Sequence, residues 1–214
     1  MKSALVSLAA SVLLTVCLRA EAATGSAGVN VSFEAVSLDQ ALDPNPGYSL
    51  LLGFSEGTWS TAPGGPGGAT DGFLTYSFSV NGGWGPEGSG SLSMGSGIFA
   101  SASNNPGYVF SISGDSWGEF IVSPYSELQM FVSGGSSGTN PTSGGSAGAC
   151  LATSCWDGKS TAVLVFDNNT DADATAVATA SAEASAAGIP EPTPAVLLLS
   201  GLGLIGAMRA FRRR

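Results

Sequence analysis

The chain has 214 residues, 43% of them hydrophobic and 11% charged, with 31 glycines, 3 cysteines and no histidine. Lacking histidine, it has no route to Ser-His-Asp or Cys-His catalysis, histidine-ligated zinc, or most general-base chemistry near neutral pH. The net charge of −9 makes nucleic acid and anionic membrane surfaces poor partners.

Residues 1–22 read as a secretory signal peptide. Lys2 supplies the positive region, Ala4 to Leu18 is apolar apart from small Ser and Thr, and Ala20-Glu21-Ala22 gives small residues two apart. Cleavage is expected after Ala22 or Ala23. The apolar run is short for a membrane anchor. Leu14-Thr15-Val16 also lacks the small residues that a lipid-attachment site at Cys17 would need.

Residues 23–188 are more acidic than the whole. Of 16 acids, only Glu21 and Glu191 fall outside this stretch, and of 7 bases only Lys159 falls inside it. Fourteen acids against one lysine leave −13. Cations are suitable partners for such a surface, and a low positive charge also suits a secreted domain. Hydrolysis of the glycoside type, which needs only carboxylates, remains compatible with this composition.

The pattern of this region predicts an all-β ectodomain, a sandwich or jelly-roll-like fold. Val29, Val31 and Phe33 alternate with polar residues. So do Leu74, Tyr76, Phe78 and Val80, then Tyr108, Phe110 and Ile112, then Leu128, Met130 and Val132. Phe120 to Val122 and Val163 to Phe166 are shorter apolar runs. Gly- and Pro-rich clusters at 63–68, 82–90 and 134–148 separate them, and Ser133 to Gly148 reads as a mobile loop. Asn45-Pro46-Gly47-Tyr48 recurs as Asn105-Pro106-Gly107-Tyr108. Two ordinary turns entering strands explain the match, with a duplicated β unit as the alternative.

Several side chains are candidates for chemistry. Cys150 and Cys155 are the two cysteines left after signal cleavage, so in an oxidising compartment they are expected to form a disulfide stapling a loop beside Trp156. Trp84 and Trp117 are candidate sugar contacts, because an exposed indole matches the C–H face of a pyranose; tryptophans near glycine also serve as core or turn anchors. Asp167, Asn169, Asp171 and Asp173 place oxygens at alternate positions like the start of a calcium loop. The expected Gly and Glu are replaced by Ala172 and Ala178, so this is no EF-hand, and a polar turn explains it as well. No phosphate-loop motif occurs, and no cofactor is expected. Alanine holds every even position from Ala172 to Ala186. Alanine content alone favours helix. A period of two, with Thr, Val, Ser and Asp between, favours a last extended strand with a small-residue face against another sheet.

Residues 189–214 form a separate unit. Ile189-Pro190-Glu191-Pro192 precedes an apolar run from Ala195 to Met208, and Arg209, Arg212, Arg213 and Arg214 close the chain. A helix over 194–211 would be roughly 27 Å long, close to the hydrocarbon thickness of a bilayer. The arginines place its C-terminal end in the cytoplasm and the preceding domain outside, in agreement with a signal peptide. Two prolines fix φ and remove two backbone donors, which keeps the lead-in extended and accessible.

In order and spacing these residues resemble a PEP-CTERM sorting signal, the substrate tag of exosortases in Gram-negative bacteria. Tails of this kind are also described as an ice-binding-protein C-terminal domain, from which no ice-binding activity follows. The resemblance covers only residues 189–214. It implies processing near Pro190 to Pro192 by a membrane-embedded exosortase, a transient membrane anchor, and delivery to the cell surface or exterior, often among exopolysaccharides. The expected function is that of a non-enzymatic surface or matrix protein; the alternatives are a carbohydrate-binding or adhesive module and a carboxylate-dependent hydrolase.

Overall fold

The structure is a computed structural model and describes residues 22–60, 67–75, 77–80, 88–104 and 108–188. The expected signal peptide (but for Ala22) and the whole of 189–214 lie outside these residues. Among the described residues there is no α-helix, and none is long and apolar enough to cross a membrane.

Among the described residues, twelve strands form two six-stranded antiparallel sheets facing each other as a sandwich. They are β1 (Ala23–Ser37), β2 (Tyr48–Ser60), β3 (Gly67–Asp71), β4 (Ser77–Val80), β5 (Gly88–Met94), β6 (Gly97–Asn104), β7 (Val109–Val122), β8 (Ser126–Gly138), β9 (Gly144–Leu151), β10 (Ser154–Trp156), β11 (Thr161–Asn168) and β12 (Ala174–Ala187). The first sheet runs β11-β8-β1-β6-β5-β4 and the second β10-β9-β12-β7-β2-β3.

Alternation dictates the layers. Val29 and Val31 of β1, Leu128, Met130 and Val132 of β8, and Phe110, Ile112, Phe120 and Val122 of β7 are all buried. Truncating one of the larger of these to alanine would cost about 2–5 kcal/mol. The alanine period is a strand as expected. β12 lies between β7 and β9, and Ala176 to Ala186 at even positions are buried against the first sheet. Small residues on both sides let the sheets close together here. A methyl added at Gly25 of β1 would lie 2.0 Å from the Ser185 carbonyl oxygen of β12. At the other end the packing is aromatic, with Phe33, Phe73 and Phe120 in mutual ring contact and the exposed Tyr48 against Phe33 and Phe120.

Two expectations are corrected. The strand anticipated over Leu74 to Val80 begins only at Ser77. Leu74 sits in a turn with φ of 56°, its N–H donating to Ser116 Oγ at 2.9 Å, so its side chain is buried by the turn and not by alternation. The supposed mobile loop over Ser133 to Gly148 is mostly ladder. Its first half is the end of β8, paired with β1, and its second half is the start of β9, paired with β12. Glycine serves close approach there: a methyl on Gly134 would meet the Gly28 carbonyl oxygen at 2.0 Å. Of the paired Asn-Pro-Gly-Tyr turns, the first leads into β2; Asn105 to Gly107 lie outside the described residues.

Both ends of the sandwich domain meet at one pole. Buried Asn104 accepts from the Ala23 N–H at 3.3 Å through Oδ1, and its Nδ2 donates to the Ala186 carbonyl at 2.7 Å and to the Tyr108 carbonyl. Gly188 N–H also donates to Tyr108 O, at 3.1 Å. One side chain thus joins the first strand, the last strand and the entry to β7.

Candidate functional site

The outer face of the second sheet gathers the chemistry. Odd-numbered residues of β7 and β12 point outward there, with their even-numbered neighbours in the core. Register places Phe54 of β2 opposite Trp117 of β7, and Trp117 opposite Thr179 of β12. Along the same strands Glu56 faces Asp115, Asp115 faces Ser181, and Leu52 and Val177 flank Glu119. Phe54, Trp117, Leu52 and Val177 are all substantially exposed, with Trp117 at 37%. Phe54, Glu56, Asp115, Trp117, Thr179 and Ser181 line a shallow groove of about 240 Å³.

The electrostatics are one-sided. Partial burial, followed by the carboxylates of Glu56 and then Glu183, pushes the Asp115 carboxyl above its ordinary value. Like charges directly across a strand pair oppose folding. Lys159, the one base in 23–188, is bound instead to Asp157 at 3.7 Å in an exposed loop. The groove can therefore offer aromatic faces and hydrogen-bond acceptors, and Lys159, the only base among the described residues, is paired with Asp157.

The other outer face differs. On the first sheet Ser137, Ser26, Ser101 and Ser91 form a row across β8, β1, β6 and β5. Ser26 bonds Ser137 at 2.8 Å and Ser91 bonds Ser101 at 2.8 Å, hydroxyl to hydroxyl.

Of the residues singled out from the sequence, the structure brings some into place. Cys150 and Cys155 are disulfide-bonded. They are cross-strand partners in the β9–β10 hairpin, so the staple closes a hairpin and not a loop. Trp117 is on the open face described above. Trp59 and Trp156 are core residues. Trp84, the sorting residues Ile189, Pro190, Glu191 and Pro192, and Arg209, Arg212, Arg213 and Arg214 lie outside the described residues.

The calcium candidate does not assemble. Asp167 ends up on β11, while Asn169, Asp171 and Asp173 are exposed in the turn to β12. Among the described residues no three His, Cys, Asp or Glu side chains gather as a metal site. The organiser of that turn is Asn168, which is buried. Its Nδ2 donates to the carbonyls of Val122 (3.1 Å), Ser123 (2.9 Å) and Ala172 (2.8 Å), and its Oδ1 accepts from Thr170 Oγ1 at 2.6 Å. The polar residues around it make a turn, as the second explanation for this pattern held.

A second acidic network sits at the same pole as that turn. Asp43 Oδ2 accepts from Ser126 Oγ at 2.6 Å and from Ser123 Oγ at 3.0 Å. The Ser126 bond is the main reason its carboxyl lies below the ordinary value, outweighing partial desolvation; Ser123 and the Asn45 N–H add to the lowering. This group is saturated by its own chain and serves the β1–β2 connection.

Sequence reasoning missed Phe54, Glu56 and Asp115 as a group. The only signal available was the outward parity of Trp117 and Asp115, two residues apart on one strand. No protein-family model matches the chain, and no curated protein matches its sequence.

Proposed function

We propose that this chain is an exported, non-enzymatic surface or matrix protein of a Gram-negative bacterium, sorted through its C-terminal tag. In this reading residues 1–22 direct export, a helix over 194–211 holds the protein in the membrane, and an exosortase cuts near Pro190 to Pro192. The observation that carries it is the order Ile189-Pro190-Glu191-Pro192, apolar run, terminal arginines, behind an export signal. The strand limits support it. β1 begins at Ala23, directly after the expected signal cleavage, and β12 ends at Ala187, two residues before Ile189. Replacing Pro190, Glu191 and Pro192 with alanine in the native host tests it. Uncut protein held in the membrane is expected; an unchanged mature product at an unchanged location overturns the reading.

A second reading is favoured by the groove at Trp117. An exposed indole and a phenyl ring side by side on a flat sheet, bordered by carboxylates and hydroxyls, suit a glycan, which offers C–H faces for stacking and hydroxyls for hydrogen bonding. The ectodomain would then be the carbohydrate-binding part of a protein delivered by the same route.

A further inference from the structure

We infer that the outer face of the second sheet around Trp117 is a docking surface for a polysaccharide carrying protonated amino groups, of the glucosamine type. The inference rests on the glycan-binding reading and narrows it, and it is independent of the sorting tag.

The apolar part of the surface is continuous by register. Phe54 and Trp117 are cross-strand partners, and Leu52 and Val177 lie one outward step further along β2 and β12. Each remains well exposed, so among the described residues the strip has no apolar cover. Charge complementarity then selects the occupant. Glu56, Asp115 and Glu183 interact electrostatically on this face, and Glu119 stands between Leu52 and Val177. The single base of residues 23–188, Lys159, lies in the loop after β10 with Asp157. An acidic glycan would be repelled. A neutral glycan would stack but leave Glu56 and Asp115 opposed across the strand pair. An ammonium beside them compensates that repulsion, and over the indole face it gains a cation–π interaction as well. Partial burial first, then Glu56 and Glu183, raise the Asp115 carboxyl, so the carboxylates on this face oppose one another.

Other occupants fit less well. A peptide added to a sheet needs an open strand edge, and β7 and β12 are each paired on both sides. A second copy would bring the same acidic face and a net charge of the same sign.

The test uses the full chain in a neutral detergent, titrated calorimetrically in mildly acidic, low-salt buffer. The probes are a β-1,4-linked glucosamine hexamer, its fully N-acetylated form, cellohexaose and hexalysine. The glucosamine hexamer is expected to bind roughly tenfold tighter than either neutral hexamer, with the advantage lost in high salt. Trp117→Ala is expected to weaken it by roughly tenfold or more. Glu56→Gln with Asp115→Asn is expected to bring it down to the level of the neutral hexamers. Should Trp117→Ala fail to fold, this isosteric double variant decides alone. Equal affinity for cellohexaose, with Trp117→Ala losing both, would keep glycan binding and overturn the amino-sugar inference. Hexalysine binding as tightly and surviving Trp117→Ala would overturn it in favour of a basic peptide. Binding to none of the probes would overturn both the inference and the glycan reading, leaving the sorting reading untouched.

Discussion

On the outer face of the first sheet, Ser26 bonds Ser137 and Ser101 bonds Ser91, so the hydroxyls of neighbouring strands satisfy one another. On the outer face of the second sheet, Glu56 stands opposite Asp115 with Glu183 nearby, and Phe54 and Trp117 remain in the open. Both faces belong to antiparallel ladders. The serine row is arranged as a sequence chosen for stability alone would arrange it, although elsewhere the same face exposes Phe99 and sets Asp167 opposite Glu127. The groove around Trp117 instead joins a repulsion and two exposed rings in one place, a combination that stability does not explain, and such departures from local consistency mark functional surfaces.

Three double variants test this contrast, in decreasing order of effect. Cys150→Ser with Cys155→Ser removes the staple beside the Trp117–Thr179 row and is expected to cost about 2 kcal/mol in denaturant unfolding, the loop-closure value for so short a ring. Copying the acidic pair onto the first face, Ser26→Glu with Ser101→Glu, removes two hydroxyl bonds and opposes two carboxylates across β1 and β6. A loss of about 1–2 kcal/mol is expected, largely recovered in high salt. A loss that ignores salt would mean that charge is not what separates the faces.

The smallest effect has the opposite sign. Glu56→Gln with Asp115→Asn should stabilise the protein by about 0.5 kcal/mol at neutral pH, a figure held low because the groups are partly exposed. Its pH dependence follows from linkage. The folded-state pKa of Asp115 is raised, so the folded protein binds a proton that the unfolded chain has already released. The Asp115 contribution favours folding below the unfolded value and is lost as pH rises through the folded one. The gain from the double variant should therefore shrink as the medium is acidified into the carboxylate range. Asp43, whose pKa is lowered, works the other way: its contribution is full above the unfolded value and is lost as pH falls through the folded one. Chemical denaturation of both proteins across that range separates the two groups.

Much of the fold was legible because alternation is a local signal. The alanine period over Ala172 to Ala186 announced β12 and its small-residue face, and the alternating runs at Val29, Phe110 and Leu128 announced β1, β7 and β8. Glycine and serine hid the rest. Gly134 and Gly145 belong to strands whose neighbours come too near for a side chain, yet in sequence they look like a linker. Leu74 carried the right parity and the wrong backbone, because Ser116 Oγ, on another strand, fixes its turn. The site was less legible still. Trp117 could be nominated for its chemistry, but Glu56 and Asp115 meet only through the register of β2 against β7, which nothing local encodes. The acids at 167–173 left a calcium loop and a polar turn both open, because the sequence does not show that Asn168 is buried and organises that turn.

The position of β12 bears on how such a domain would withstand pulling. In chain order its last residues precede the segment proposed to hold the protein to the cell, and it is gripped by β7 along its whole length and by β9 along its middle. A load applied between that end and a polymer seated on the sheet face would run along the strand axis. The ladders on both flanks would then have to slip together, in shear, instead of peeling open bond by bond.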